Sequence, residues 1–276
     1  MKKLFGVLGN PIEHSMSPLI HNDAFEKHSI NGVYLPFCVE DNELQQAVEG
    51  LKALGAGGFN VTVPFKSRIL PYIDVLDDFA NEVGAVNTVV IKDGQLYGYN
   101  TDGPGFVKGL LTLTKRVEDK NVLIIGAGGA ARGIYFALAK SGVAKLDLAN
   151  RTVSSAEQIV ADYHGSIRSN AISLVEAERS LGQYDIIIQT TSVGLADDNA
   201  SPLSLKELNQ HAIVCDIIYN PLQTRILKEA KERGNQVQNG VDMFVYQGAL
   251  AFELWTGILP DTNRMKQLVL QQLGGS

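Results

Sequence analysis

Cysteine is scarce: Cys38 and Cys215 are the only two in 276 residues, far apart in the chain. Such a pair supports neither a disulfide framework nor a cysteine-rich zinc site, so two reduced thiols, a cytoplasmic location and no metal are expected. Positive charge is also in deficit: 24 Lys and Arg stand against 30 Asp and Glu, giving a formal net charge of -6. Nucleic acid or an anionic membrane as main partner would need clustered cations, and no such cluster occurs. No run approaches the ~20 apolar residues of a membrane span. The apolar start Leu4-Phe5-Gly6-Val7-Leu8-Gly9 breaks at Asn10-Pro11, too short for a signal-peptide core, and reads as a first strand. Repeats and low-complexity tracts are absent, which excludes solenoids.

What is present is alternation. Leu4–Gly9, Tyr34–Val39 and Gly58–Val63 have strand character, with helices expected from about Pro18 and Asp41 between them. In the second of these helices Leu44, Ala47, Val48, Leu51 and Leu54 repeat at helical spacing, and Gly55 ends it. Ser17-Pro18 reads as a capping hydroxyl followed by a proline in the first turn. Val86–Lys92 and Gln95–Tyr99 flank Asp93-Gly94, a dipeptide suited to a tight hairpin, so the first half is a mixed sheet. From Asn121 a second α/β unit begins. Its apolar runs at Val122–Ile125, Lys145–Ala149, Asp185–Gln189 and Ile213–Ile217 suit parallel strands buried on both faces. Helical patterns alone remain after about residue 239, at Val241–Trp255 and Asn263–Leu273. The expected fold is α/β with two domains. A mixed-sheet domain of residues 1–102 plus 238–276 includes the returning final helices, and a Rossmann-type domain covers 103–237.

Gly126-Ala127-Gly128-Gly129-Ala130-Ala131 follows a strand and opens a helix. A glycine-rich turn lets the backbone approach a pyrophosphate, and the helix start supplies free N–H groups and positive potential. After the next strand, where NAD-binding folds commonly carry an acidic residue, the chain has Asn150-Arg151-Thr152. A guanidinium there can pair with a 2′-phosphate that a carboxylate would repel, which favours NADP. The blander reading of Arg151 is a solvated charge at a strand end.

Several further motifs occur in order from residue 6 to 257. They are Gly9-Asn10-Pro11-Ile12-Glu13-His14-Ser15-Met16-Ser17-Pro18, Asn60-Val61-Thr62-Val63-Pro64-Phe65-Lys66, Gly84-Ala85-Val86-Asn87-Thr88, and Gly98-Tyr99-Asn100-Thr101-Asp102-Gly103. The last is Gly240-Val241-Asp242-Met243-Phe244-Val245-Tyr246-Gln247-Gly248. Together with the glycine loop and the Asn-Arg-Thr segment, this series resembles the shikimate dehydrogenase family.

The resemblance implies NADPH-dependent, reversible reduction of 3-dehydroshikimate to shikimate in chorismate and aromatic amino acid biosynthesis. It implies Lys66 and Asp102 as the catalytic pair, and Ser15, Ser17, Asn60, Thr62, Asn87, Tyr219 and Gln247 around the substrate. Cofactor contacts are implied at Gly126, Ala127, Gly128, Gly129, Ala130, Asn150, Arg151, Thr152, Ser155, Ile217 and Gly240. The expected partners are thus small molecules, with a homodimer as the assembly considered. Hydroxyl and amide side chains both donate and accept, which suits a ligand with three ring hydroxyls, and a carboxylate suits the positive end of the helix at Pro18. Hydride transfer at a secondary alcohol also needs a proton moved at the same oxygen, a task for Lys66 with Asp102 positioning it.

Taken singly, these residues have plainer readings. Ser17 suits a helix cap, Lys66 a solvated lysine, Asp102 a helix N-cap, His14 a structural hydrogen-bonder and Tyr219 a core aromatic. The family's second cation after Asn-Arg-Thr is replaced here by Ser155. Three other readings share the pattern: a quinate or dual quinate/shikimate dehydrogenase using NAD, an inactive NADP-binding regulator, and a folate-linked dehydrogenase. Retention of both Lys66 and Asp102 speaks against the regulator.

Overall fold

The computed structural model describes residues 2–197 and 199–274. Two compact units emerge, one running to Asp102 and resuming over Val245–Gly274, the other spanning Gly103–Phe244.

The first unit is built from β1 (Lys3–Gly9), α1 (Ser17–Lys27), β2 (Gly32–Cys38), α2 (Leu44–Ala53), β3 (Gly58–Val61) and β4 (Val75–Leu76). It continues through α3 (Asp78–Val83), β5 (Thr88–Lys92) and β6 (Gln95–Tyr99), and ends as α4 (Asp102–Leu110) begins. The strands form one sheet in the order β2-β1-β3-β5-β6-β4. β1 pairs in parallel with β2 and β3, whereas β5 runs antiparallel to both β3 and β6, so the sheet is mixed as expected. Asp93 and Gly94 both take positive φ, 51° and 74°, the conformation that a tight two-residue hairpin turn requires. Leu44, Val48 and Leu51 of α2 bury with Phe59, Phe65, Val86 and Val89 in one apolar cluster, so the helical stripe seen in the sequence is the core face.

The second unit comprises β7 (Asn121–Ile125), α5 (Gly129–Lys140), β8 (Lys145–Ala149), α6 (Val153–Asp162), β9 (Ala171–Ile172) and α7 (Leu174–Ser180). It goes on through β10 (Ile186–Gln189), β11 (Ile213–Asp216), α8 (Arg225–Glu232) and β12 (Gln236–Gln238). All six strands are parallel, in the order β12-β11-β10-β7-β8-β9. The chain reverses its direction of winding between β7 and β10, the switch point where such sheets bind ligands at the strand ends.

α9 (Val241–Thr256) and α10 (Thr262–Gln272) complete the chain. Within the first unit, Trp255 donates from Nε1 to the Val89 carbonyl at 2.9 Å. A Cβ on Gly58 would lie 2.3 Å from that nitrogen, so only glycine admits the indole. Arg264 of α10 forks onto Asp23 of α1 at 2.7 and 2.5 Å.

Three details differ from the sequence reading. The helix expected from Asp41 starts at Leu44, because Asp41 and Asn42 form a turn closed by the Glu43 N–H donating to the Glu40 carbonyl. Ser17 is not the cap of α1; Met16 occupies that position without a side-chain bond, and Ser17 and Pro18 are already helical. The chain leaves the second unit inside α9 and not near residue 238. Gln238 holds that first turn there, donating to the Gly109 carbonyl at 2.8 Å and to Asp242 at 3.2 Å. Residues 1, 275 and 276 of the first domain assignment lie outside the described residues.

Candidate active site

Four segments of the first unit meet at the carboxyl ends of β1 and β3. Beyond Gly9 the chain turns through Asn10, whose N–H donates to the Val63 carbonyl at 3.0 Å. A Cβ on Gly9 would come within 2.4 Å of Thr62 Cγ2, so glycine lets the two loops touch. β3 stops at Val61, since Pro64 has no N–H to extend the ladder. The buried Phe65 then anchors the turn that carries Lys66, and the Val86 N–H donates to the Lys66 carbonyl at 2.8 Å.

Lys66 Nζ lies 2.6 Å from Asp102 Oδ2, with the two side chains 28% and 10% exposed. The pair is therefore sheltered but reachable. Asn87 Nδ2 donates to the other carboxylate oxygen, Asp102 Oδ1, and to Thr101 Oγ1, each at 2.9 Å. Asn87 Oδ1 in turn accepts from the Thr101 N–H at 2.7 Å. Asp102 donates its own N–H to Asn100 Oδ1 at 3.1 Å, and Asn100 Nδ2 donates to the Ala85 carbonyl. Asp102 is thus the first residue of α4 with its carboxylate committed to Lys66 and Asn87. Deeper in, Asn60 is 6% exposed and donates to the Asn87 carbonyl and to Thr88 Oγ1, both at 3.0 Å.

The structure gathers Asn60, Lys66, Asn87 and Asp102 into one hydrogen-bonded network. Thr62 stands half-buried at the mouth of the Gly9 turn, and Ser15 and Ser17 follow that turn, Ser15 Oγ accepting weakly from the Ser17 N–H at 3.4 Å. Gln247 is half-buried on α9, beside Gly248, which packs against Ile20 and His21 of α1. His14 is exposed, and no hydrogen bond of its ring is formed among the described residues. Tyr219 belongs to the other unit, where it packs against Phe244 at 5.1 Å and burial pushes its phenol up. Missing from the sequence reading were Tyr34, Thr88 and Thr101, whose hydroxyls complete the network. Thr88 and Thr101 lie within the motifs read from the sequence, but Tyr34 carried no local signal.

In the second unit, Gly126 adopts φ +112°, and a Cβ there would sit 2.5 Å from Thr190 Oγ1. Gly128 caps α5 in an extended conformation, and open space surrounds the Cβ positions of both Gly128 and Gly129. The start of α5 is therefore free of crowding neighbours at these two positions, with Ala127 and Ala130 half-buried beside them. Asn150 bridges to the Thr152 carbonyl at 2.9 Å and shapes the turn in which Arg151 and Thr152 are exposed. Arg151 forms no ion pair among the described residues, whereas Arg132 is paired with Asp162 at 2.5 Å. Ser155 is exposed on the first turn of α6. A Cβ on Gly240 would lie 1.9 Å from the Ile217 carbonyl oxygen, so these two residues cross in direct contact. A bare glycine loop, an open helix start and an uncommitted arginine fit a dinucleotide carrying a 2′-phosphate. No cluster of three metal-ligating side chains occurs among the described residues.

Family models match in three segments. The shikimate dehydrogenase substrate binding domain covers residues 7–89, the shikimate/quinate 5-dehydrogenase model residues 110–217, and the shikimate 5'-dehydrogenase C-terminal domain residues 240–270. A curated shikimate dehydrogenase (NADP(+)) of Bacillus cereus is 54% identical over 277 residues, with both chains covered completely. A crystal structure of a shikimate dehydrogenase in complex with NADP+ superposes with a TM-score of 0.92 at 40% identity, covering 99% of this chain and 96% of the other. Shikimate 5-dehydrogenase from Listeria monocytogenes, in complex with shikimate and NAD, gives 0.92 at 36% identity, covering 97% and 96%. Matched along its whole length in sequence and in fold, the chain belongs to the shikimate dehydrogenase family.

Proposed function

We propose that the chain is an NADP-dependent shikimate dehydrogenase that interconverts 3-dehydroshikimate and shikimate in aromatic amino acid biosynthesis. The observation that carries this reading is the sheltered Lys66–Asp102 pair, set among amide and hydroxyl side chains in a family whose close members are NADP enzymes.

Gly126 to Ala130 would hold the pyrophosphate, and Asn150, Arg151, Thr152 and Ser155 the 2′-phosphate, with Ile217 and Gly240 as further cofactor contacts. When bound, NADPH supplies the hydride that reduces the ring ketone. Lys66 gives a proton to the developing alkoxide and takes one back in the oxidative direction. Asp102 holds the ammonium with Oδ2 and keeps lone pairs for the neighbouring substrate hydroxyl. Asn87 fixes that carboxylate, so the donor is oriented before substrate arrives. Asn60, Thr62 and Gln247 meet the ring hydroxyls, and Ser15 and Ser17 the carboxylate.

The domain roles follow: substrate on residues 1–102 with the returning helices, NADP on the parallel-sheet unit. No helix among the described residues is long and apolar enough to cross a membrane. Two free thiols, Cys38 exposed and Cys215 buried, fit a reducing cytoplasm, and a homodimer is the assembly to look for.

Initial rates with shikimate and quinate, each with NADP and NAD, test the reading. Shikimate with NADP is expected to dominate. Preference for quinate with NAD would move the chain to the neighbouring specificity, and no turnover of either would leave an NADP-binding regulator.

A further inference from the structure

Tyr34 is fully buried in the first unit, and every part of it is held. Its N–H donates to Asn22 Oδ1 at 2.8 Å, and Asn22 Nδ2 donates back to the Tyr34 carbonyl at 2.9 Å. Its ring stacks on His21, centroids 4.5 Å apart and planes 19° from parallel, and tilts against Trp255 at 6.0 Å. Its hydroxyl donates to Asn60 Oδ1 at 2.7 Å.

The consequence falls on Asn60. Both hydrogens of its amide are spent, on the Asn87 carbonyl and on Thr88 Oγ1. The Asn87 carbonyl has no proton, so the amide cannot be turned over without setting two oxygens against each other. With the Tyr34 hydroxyl on Oδ1, Asn60 retains one free lone pair and no free donor.

We propose that Tyr34 is a positioning residue of the substrate site, which makes Asn60 a reader that accepts only. At the place Asn60 faces, the site selects a hydroxyl, which donates, over a carbonyl or ether oxygen, which does not. This rests on the dehydrogenase reading and on Asn60 meeting the substrate. A buried polar site left unpaired rejects the wrong group strongly, so a fixed acceptor is a specificity device and not only a contact.

The test is Tyr34→Phe, which keeps the ring and its stack and removes the hydroxyl alone. Loss of one neutral hydrogen bond predicts a rise in the shikimate KM of about three- to tenfold. Turnover number and the KM for NADP should stay within about twofold, because neither the Lys66–Asp102 pair nor the cofactor loop is touched. In an Asn60→Ala background the same substitution should leave the shikimate KM unchanged, since coupled residues are non-additive. A lowered melting temperature with an unchanged KM would make Tyr34 merely structural and overturn the proposal. An equal KM effect in the Asn60→Ala background would overturn it too. Should Tyr34→Phe fail to fold, Asn22→Ala loosens the same tyrosine from its main chain and must raise the shikimate KM; an unchanged KM there is equally fatal. Wild-type protein that does not turn over shikimate at all would instead bring down the dehydrogenase reading, and this inference with it.

Discussion

Thr224 donates its hydroxyl hydrogen to Asp216 Oδ2 across 2.6 Å, at the foot of the loop that carries Tyr219. The other carboxylate oxygen accepts from the Ile218 N–H at 2.9 Å, so Asp216 clasps both ends of that loop.

Burial pushes the Asp216 carboxyl up to about 6, against the partial opposition of those two hydrogen bonds. The folded chain therefore holds a proton that the unfolded chain has already lost above an ordinary value of 3.8. Stability from this group is complete below that value and is lost as pH rises through about 6. The span of about two pH units corresponds to at most roughly 3 kcal/mol. Asp216→Asn should accordingly gain melting temperature relative to wild type between pH 4 and pH 7. A difference that stays flat across that range would contradict the raised carboxyl.

His21 has the opposite sign. Complete burial lowers its imidazole to about 3, so the folded chain keeps it neutral while the unfolded chain protonates it below about 6.5. Its contribution is intact above that value and drains away as pH falls toward 3, at about 1.4 kcal/mol per pH unit. His21→Phe preserves the aromatic stack on Tyr34 and removes the titration. Between pH 7 and pH 4.5, wild type should lose melting temperature faster than this variant; parallel curves would show that His21 is not held neutral.

Arg151 is the uncommitted cation of the Asn150–Thr152 turn, and its effect should be selective. A hydrogen bond to a charged group contributes roughly 1.5–3 kcal/mol, so Arg151→Ala should weaken NADPH by about ten- to a hundredfold. NADH should lose far less, and the ratio of kcat/KM values for the two cofactors reads this directly. Ser155→Arg, in the first turn of α6, should shift the ratio further toward NADPH. Equal losses for both cofactors in Arg151→Ala would make it a stacking or structural residue.

Much of this architecture is written locally in the chain. Asp93-Gly94 names its own turn because both residues tolerate positive φ, and Gly126–Ala130 is readable because a strand precedes it and a helix follows. Tyr34 is silent for a physical reason. It faces Asn60 through the order β2-β1-β3, and that pairing of distant strands leaves no mark on the residues beside either of them. β4 and α3, two and six residues long, are too short for periodicity to declare them, and Asp77 caps α3 from within an otherwise unremarkable stretch. Ser17-Pro18 misled by one position: the pattern marks a helix start, but Met16 takes the cap position and Ser17 lies buried inside the first turn.

The central claim is that Lys66, held by Asp102 at 2.6 Å, moves the proton that accompanies hydride transfer. Steady-state kinetics of Lys66→Met, together with its shikimate dissociation constant measured by titration, tests that claim most directly. Positioned proton transfer contributes about 10²–10⁴-fold, so kcat should fall by at least about a hundredfold. Shikimate affinity should stay within about tenfold, because the lysine acts chiefly on the transition state. A variant that turns over at near wild-type rate, or one that loses binding while keeping kcat, would contradict the assignment of Lys66.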